Sequence, residues 1–273
     1  MINLTSCEFI TKLPNLCCPN LEELHLYKCE NLIEVHEFIG FLEKLKVWIH
    51  CDCSQLQILP STLMLKSLED FRLLSCSRLK KFPNIHPEMN CLRNLNLIGC
   101  GIRELPSSLL YLTGLDTLSL GASKLRNFLV GANESQMREE EDIPSAQLRL
   151  ACNSFNNFSW PTGFLCLHLL DLSGCTRIEV ELDSWMQPDY FPVLTLLDLS
   201  ETGIVTIPES ISRFTTLRQL LLSNCKELRE IPRLPQSIRT VDAQYCDRLD
   251  SQSSSRLLNQ VSLSFSFSLK VKL

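Results

Sequence analysis

No apolar stretch in the 273-residue sequence is long enough to cross a bilayer as a helix. The opening residues, MINLTSCEF, carry neither the basic lead nor the apolar core of a secretory signal. A cytoplasmic or nucleocytoplasmic location is therefore expected. Positive charge is not in excess either. Lys and Arg number 26 against 31 Asp and Glu, a net charge of −5 with a pI near 5.6, which disfavours nucleic acid as a partner. The sequence has no G-x-x-x-x-G-K-[ST] loop to cradle a phosphate, no H-E-x-x-H and no C-x-x-C. Its only metal-like cluster, His50 to Cys53, fails on geometry, because strand alternation sends His50 to one side and Cys51 to the other. The five histidines are scattered and no nucleophile–base pair is legible. No catalytic residue, cofactor, metal or membrane contact is expected.

What the sequence does contain is one unit used repeatedly. LRQLLLSNCKELREIP, residues 217–232, reads L-x-x-L-x-L-x-x-C-x-x-L-x-x-I-P. Leu220 and Leu222 alternate onto one side of a short strand, and Gln219, Leu221 and Ser223 take the other. Cys225 turns the chain, Leu228 and Ile231 return to the core, and Pro232 stops backbone pairing. One such unit cannot bury its apolar side alone, but a stack of them can. The turn position recurs at Cys7, Cys29, Cys53, Cys76, Cys100, Ser123, Asn153, Cys175, Thr202, Cys225 and Cys246. The period of mostly about 21–24 residues falls in the leucine-rich-repeat range.

The fold class expected is therefore α/β, a leucine-rich-repeat solenoid shaped as a curved horseshoe. Parallel strands line its concave face, with loops and short helical turns on the convex face. Residues 1–250 are assigned to about eleven repeats. Ile2, Leu4, Cys7, Ile10 and Leu13 already fit the frame, so the N-terminus starts inside a repeat and the chain is expected to be a fragment. Strand centres are expected near Leu24, Phe71, Leu95, Leu118, Leu148, Leu170, Leu197 and Leu220. The third repeat fits two registers. One, anchored on Cys53, turns Leu45, Trp48 and His50 inward; the other, anchored on Leu42, turns Leu45 and Val47 inward. An insertion from about Gly131 to Ser145 carries the charge run Arg138 to Asp142 and reads as a solvated loop. Fourteen cysteines would suggest disulfides in a small secreted domain, but eight of them occupy the one turn position. They are expected to be buried, reduced thiols.

The units LRNLNLIGCGIRELPSSL, LTLLDLSETGIVTIPESI and LRQLLLSNCKELREIP resemble the repeats of plant intracellular immune receptors. The nearest resemblance is to the class with a TIR domain and a nucleotide-binding domain ahead of the repeats. LPQSIRTVDAQYCDRLDSQSSSRLLNQ is similar to the stretch that closes the repeats in that family. The resemblance covers residues 1–260 and implies a non-enzymatic role in disease-resistance signalling: effector recognition and autoinhibition. The implied partner is a pathogen effector or the nucleotide-binding domain of a receptor. The TIR and nucleotide-binding motifs are not in this chain, so their activities do not carry over. Two alternatives share part of the pattern, the substrate-recognition repeats of an F-box ubiquitin ligase and the ectodomain of a cell-surface receptor. The first usually lacks the exit prolines seen at Pro14, Pro60, Pro83, Pro106, Pro208 and Pro232.

Alternation also names the residues that face out from the strands. His25, Tyr27, Cys51, Arg72, Leu74, Asn96 and Ile98 fall in the early repeats, and Arg149, Asp171, Asp198 and Asp242 in the later ones. The expectation is a partly apolar protein-docking patch in the N-terminal half and a polar, acidic surface in the C-terminal half. Ser251 to Ser255 reads as a polar break, and 251–273 as a low-complexity tail. Its last part, Val261–Leu273, has two readings, translated intron or the first strand of a further β-rich domain. In both readings it has no partner sheet within the chain and is weakly placed.

Overall fold

The computed structural model describes residues 1–125, 127–130, 164–175, 182–262 and 268–271. The chain winds as a solenoid whose concave face is one eleven-stranded sheet with its strands in chain order. They are Ile2–Thr5, Glu23–Tyr27, Val47–Cys51, Asp70–Leu74, Asn94–Asn96, Thr117–Ser119, Leu169–Asp171, Leu196–Asp198, Gln219–Leu221, Thr240–Ala243 and Ser268–Val271. Every pairing is parallel, and the register never slips: Leu24, Trp48, Phe71, Leu95 and Leu118 stack in one column, continued by Leu170, Leu197, Leu220 and Val241. A one-residue slip would turn every anchor into solvent.

The anchors on this column and the next inward one are buried from Leu24 onward, as are Cys29, Cys53, Cys76, Cys100, Cys175 and Cys225. Trp48 and His50 are both fully buried, so the third repeat takes the register anchored on Cys53. Size supplies the reason: the Trp48 indole stacks on Phe71 at 4.7 Å and Phe71 meets Phe82 at 6.0 Å. In the other register this ring would face water.

The returning limbs run along the back. Short parallel pairs form there, such as Lys12–Leu13 with Glu34–Val35 and Thr62–Leu63 with Asn84–Ile85. Single 3-10 turns at Glu37–Phe41, Ser107–Tyr111 and Glu209–Arg213 tuck Ile39, Leu109 and Ile211 under the sheet. The last two follow Pro106 and Pro208, which stand at the N-cap with non-helical backbone.

Each described turn has a kink that the frame did not announce. Ser6, Lys28, Asp52, Ser75, Gly99, Ala122, Gly174, Glu201, Asn224 and Tyr245 all have φ between 52° and 72°. Each directly precedes the turn residue of its repeat. The left-handed region favours Gly or Asn, yet most of these residues are neither. A backbone bond to the next turn fixes the kink: the N–H of Asp52, for example, donates to the Leu74 carbonyl at 3.0 Å, and that of Ser75 to Ile98 at 2.9 Å.

Two features differ from the reading of the tail. Ser251–Ser255 does not break the structure but opens a helix, Ser251–Ser262. Asp250 caps it by accepting the Ser253 N–H. Ser253 is itself buried and accepts the Ile231 N–H at 3.0 Å, while Leu257 packs into the core. Polar composition hid a capping sequence. The tail also has a partner sheet: Ser268–Val271 pairs in parallel with Thr240–Ala243, Leu269 opposite Val241. The insertion, its charge run, and the expected anchors Leu148, Asn153, Phe155 and Phe158 lie outside the described residues.

Candidate functional site

The concave face carries three outward columns, and the two halves of the sheet fill them differently. In the N-terminal half the strands at Glu23–Tyr27, Val47–Cys51 and Asp70–Leu74 are five residues long. Tyr27, Cys51 and Leu74 pair side by side, and Ile98 follows at the same position one turn on; all four are half-buried. Beside them run His25, Ile49, Arg72 and Asn96. The His25 ring stacks beside Tyr27, 6.0 Å between centroids, and reaches its hydroxyl at 3.3 Å. Arg72 is held on its own strand by Asp70, with Nε 2.9 Å from Oδ1 and Nη2 2.5 Å from Oδ2.

From Asn94 to Leu221 the described strands of this sheet are three residues long, and in several turns a side chain takes over the next backbone donor. The Oδ1 of Asn96 accepts the N–H of Ile98 at 3.1 Å. Asp171 does the same for Ser173 at 2.9 Å, Asp198 for Ser200 at 2.9 Å, and Asp242 for Gln244 at 3.3 Å. Each takes a backbone donor out of the ladder two residues early. His25, Ile49 and Arg72 have no short side-chain oxygen to do so, and their strands run to five residues. The strand ending at Leu221 stops at three without a clamp, and the one carrying Asp242 runs to four. The clamp thus accompanies the short strands without alone setting their length.

The turn thiol completes the exchange. In a parallel ladder, the diverted N–H would have met the second anchor's carbonyl on the preceding strand. Cys100 Sγ donates instead to the Leu73 carbonyl at 2.8 Å, Cys175 to Leu120 at 3.2 Å and Cys246 to Leu222 at 3.0 Å. In the early turns the same contacts are longer, 3.6 Å for Cys29 and 3.8 Å for Cys53. Cys225 makes a 3.1 Å contact with Leu199 although Leu221 stands where the acid would. A buried donor that closes on a buried carbonyl removes a desolvation cost. The thirteen described cysteines are all free. Burial raises the Cys29 and Cys175 thiols and pushes Cys53 up to about 12; Cys76 is raised by its hydrogen bond to Cys100 and by burial. These thiols stay protonated and act as donors.

Of the residues expected on this face, His25, Tyr27, Cys51, Arg72, Leu74, Asn96 and Ile98 form one continuous area. Asp171, Asp198 and Asp242 share a column but are interrupted by Leu221, which lies between Asp198 and Asp242. Arg149 lies outside the described residues. Val47, Ile49, Leu169 and Leu196 also face outward and half-exposed. Alternation alone would have found them, since each sits beside an inward anchor. Burial, with hydrogen bonds from Ser200 opposing it, raises the Asp198 carboxyl above its ordinary value. Among the described residues no group of His, Cys, Asp and Glu is placed to hold a metal, and no helix is long and apolar enough to cross a membrane.

The geometry defines a leucine-rich-repeat solenoid. The leucine-rich-repeat domain of the type III effector XopL superposes with a TM-score of 0.58 at 18% identity, covering 98% of this chain and 75% of that one. This similarity shows the fold alone. No protein-family profile matches the sequence. Its curated relatives are plant disease-resistance proteins of the TIR, nucleotide-binding, leucine-rich-repeat class, and the chain corresponds to a part of them. TMV resistance protein N of Nicotiana glutinosa is 29% identical over 281 residues, 86% of this chain and 24% of that protein. Disease resistance protein RPP4 of Arabidopsis thaliana is 26% identical over 231 residues, 82% of this chain and 17% of that protein. The chain thus spans about a quarter or less of the length of these relatives.

Proposed function

We propose that this solenoid is a non-enzymatic recognition surface in plant disease resistance and that it docks a protein through the N-terminal half of its concave face. The partner is a pathogen effector or a receptor's nucleotide-binding domain, so the surface serves effector recognition, autoinhibition or both, in the cytoplasm. The observation that carries this reading is the adjacent row Tyr27, Cys51, Leu74 and Ile98, half-exposed and with side chains that hold no backbone N–H. Contiguous apolar and aromatic side chains on an exposed face mark protein interfaces. The acidic column Asp171, Asp198 and Asp242 contributes a polar, negatively charged flank that selects partners by charge more than by affinity. Disease-resistance relatives and the unbridged thiols among the described residues both favour this reading over a secreted ectodomain.

The test is proximity labelling in infected leaf tissue, comparing the wild-type chain with the triple variant Tyr27→Ala, Leu74→Asp, Ile98→Asp. A convex-face control, Phe38→Asp, alters a residue that is 59% exposed. The triple variant is expected to lose the labelled partner and the control to keep it. Loss only in the convex variant contradicts the reading.

A further inference from the structure

A second surface lies on the flank where the chain enters each concave strand. One residue per turn stands there, and up to Arg218 its carbonyl accepts two N–H groups from the next turn. The series runs Glu22, Lys46, Glu69, Arg93, Asp116, His168, Thr195, Arg218, Arg239. In the N-terminal half its charges answer one another. Lys46 pairs with Glu22 at 3.0 Å, Arg93 donates to the Gly114 carbonyl at 2.6 Å, and Asp116 meets His168 at 2.5 Å. The C-terminal half breaks this rule. Arg218 and Arg239 occupy adjacent turns, joined by Arg239 N–H to the Arg218 carbonyl at 2.7 Å. Neither forms an ion pair among the described residues. The Arg218 guanidinium makes no hydrogen bond there, and Arg239 reaches only the carbonyls of Gln236 and Ile238. Both line an open groove of about 570 Å³ with His168, Val193, Thr195, Thr216 and Ser237, and no carboxylate lines it.

We propose that this groove binds an acidic peptide segment of a protein partner, Asp or Glu side chains meeting Arg218 and Arg239. Like charges on neighbouring rungs, in a chain of net charge −5, are unfavourable until an anion joins them. Guanidinium groups present a fork that matches carboxylates. The hydroxyls refine the ligand. Thr195 donates its proton to the His168 carbonyl at 3.0 Å, Thr216 to Leu194 at 2.9 Å and Ser237 to Phe214 at 3.1 Å. With their protons committed, they offer acceptors. A bare anion has nothing to give them; a peptide has backbone N–H groups. Val193 adds an apolar contact for its side chains. This proposal is independent of the concave docking face, and neither falls with the other.

A randomised-peptide display selection on the full chain tests it, with the double variant Arg218→Ala, Arg239→Ala in parallel. Wild type is expected to enrich peptides bearing Asp and Glu, and the double variant to bind the selected peptides at least tenfold more weakly. Both arginines are exposed, and unchanged circular dichroism confirms that the variant is folded. Arg103→Ala, on the opposite flank, is expected to bind as wild type does. Absence of acidic enrichment overturns the proposal, as does equal binding by the double variant or equal loss in Arg103→Ala. Inorganic phosphate displacing the peptide at equal concentration would reduce the site to a simple anion trap and overturn the peptide reading.

Discussion

The two halves of the concave sheet share one core and one register yet end their strands differently. In the N-terminal half, pairing runs five residues and carries Tyr27, Cys51 and Leu74 with it. In the C-terminal half Asp171, Asp198 and Asp242 each clamp a backbone N–H two residues on, and strands such as Leu169–Asp171 and Leu196–Asp198 stop after three. A residue type that looks like a charged surface for a ligand is therefore also structural. The lesson is that an outward side chain on a solenoid has two possible employers, the partner and the backbone, and hydrogen bonds show which has already engaged it. On the N-terminal side the side chains of the row Tyr27 to Ile98 hold no backbone N–H, and Tyr27 meets the His25 ring on its own strand, which leaves the row for a partner.

The largest expected effect concerns what the halves have in common. Leu97 is fully buried between neighbouring turns, and Leu97→Ala should cost about 2–5 kcal/mol by opening a cavity. Urea denaturation of the purified chain measures it. Since one core serves both halves, an equivalent truncation, Leu199→Ala, should cost a similar amount. A loss much smaller in one half would show that the core is not continuous.

The next effect sharpens what is particular to the N-terminal half. His50 fills a leucine position with a fully buried imidazole. Its Nε2 accepts the Trp48 indole N–H at 2.7 Å, while Nδ1 has no partner. Burial lowers its pKa to about 3, so it is neutral when folded and gains a proton on unfolding below its ordinary value near 6.5. Protons thus favour the unfolded chain: stability is full above pH 6.5 and falls as pH drops from there toward 3. At pH 5 the loss is about 2 kcal/mol. His50→Leu should flatten the stability profile across this window, measured by thermal unfolding at pH 7.5 and pH 5. An unchanged slope would place the imidazole in contact with water.

Smaller again is the clamp itself. Asp198→Ala leaves the Ser200 N–H without its acceptor and should cost about 1–3 kcal/mol. Asp198→Asn keeps an acceptor oxygen, as Asn96 does naturally. Because burial raises the Asp198 carboxyl, the folded chain holds that proton more tightly than the unfolded one. Ionisation therefore weakens the fold as pH rises through the raised value, and Asp198→Asn should be the more stable form at pH 7 but not at low pH. Thermal unfolding of both variants at the two pH values checks the sign. The smallest effect belongs to the kink shared by both halves. Ala122 has φ 53°, and Ala122→Gly should stabilise by about 0.5–1 kcal/mol by relieving the left-handed strain.

Much of this was legible in the sequence. Leu-x-Leu periodicity and the recurrent turn cysteine carry the solenoid, its register and its inward residues, because a two-residue period leaves each anchor a single side of the strand. The third repeat was ambiguous because Val47 and Trp48 are both apolar, and only the space beside Phe71 decides which of them is buried. The left-handed kink before each turn was hidden, since Ser, Lys, Asp, Glu and Tyr take it as well as Gly. The Ser251–Ser262 helix was hidden by polar composition, although Asp250 ahead of Ser253 is a capping signal. The clamp left a trace too: Asn96, Asp171, Asp198 and Asp242 occupy the same place in their repeats, and their shared spacing from a backbone N–H is the physical content of that recurrence.

The central claim, that the acidic column is engaged by the backbone while the N-terminal row is not, is tested most directly by amide hydrogen exchange at Ser200. Wild type and Asp198→Asn should both protect this amide, and Asp198→Ala should lose that protection while the amide of Leu74 keeps its own. Unchanged protection of Ser200 in Asp198→Ala would show that the carboxylate does not hold the backbone, and would return Asp198 to the pool of side chains available to a partner.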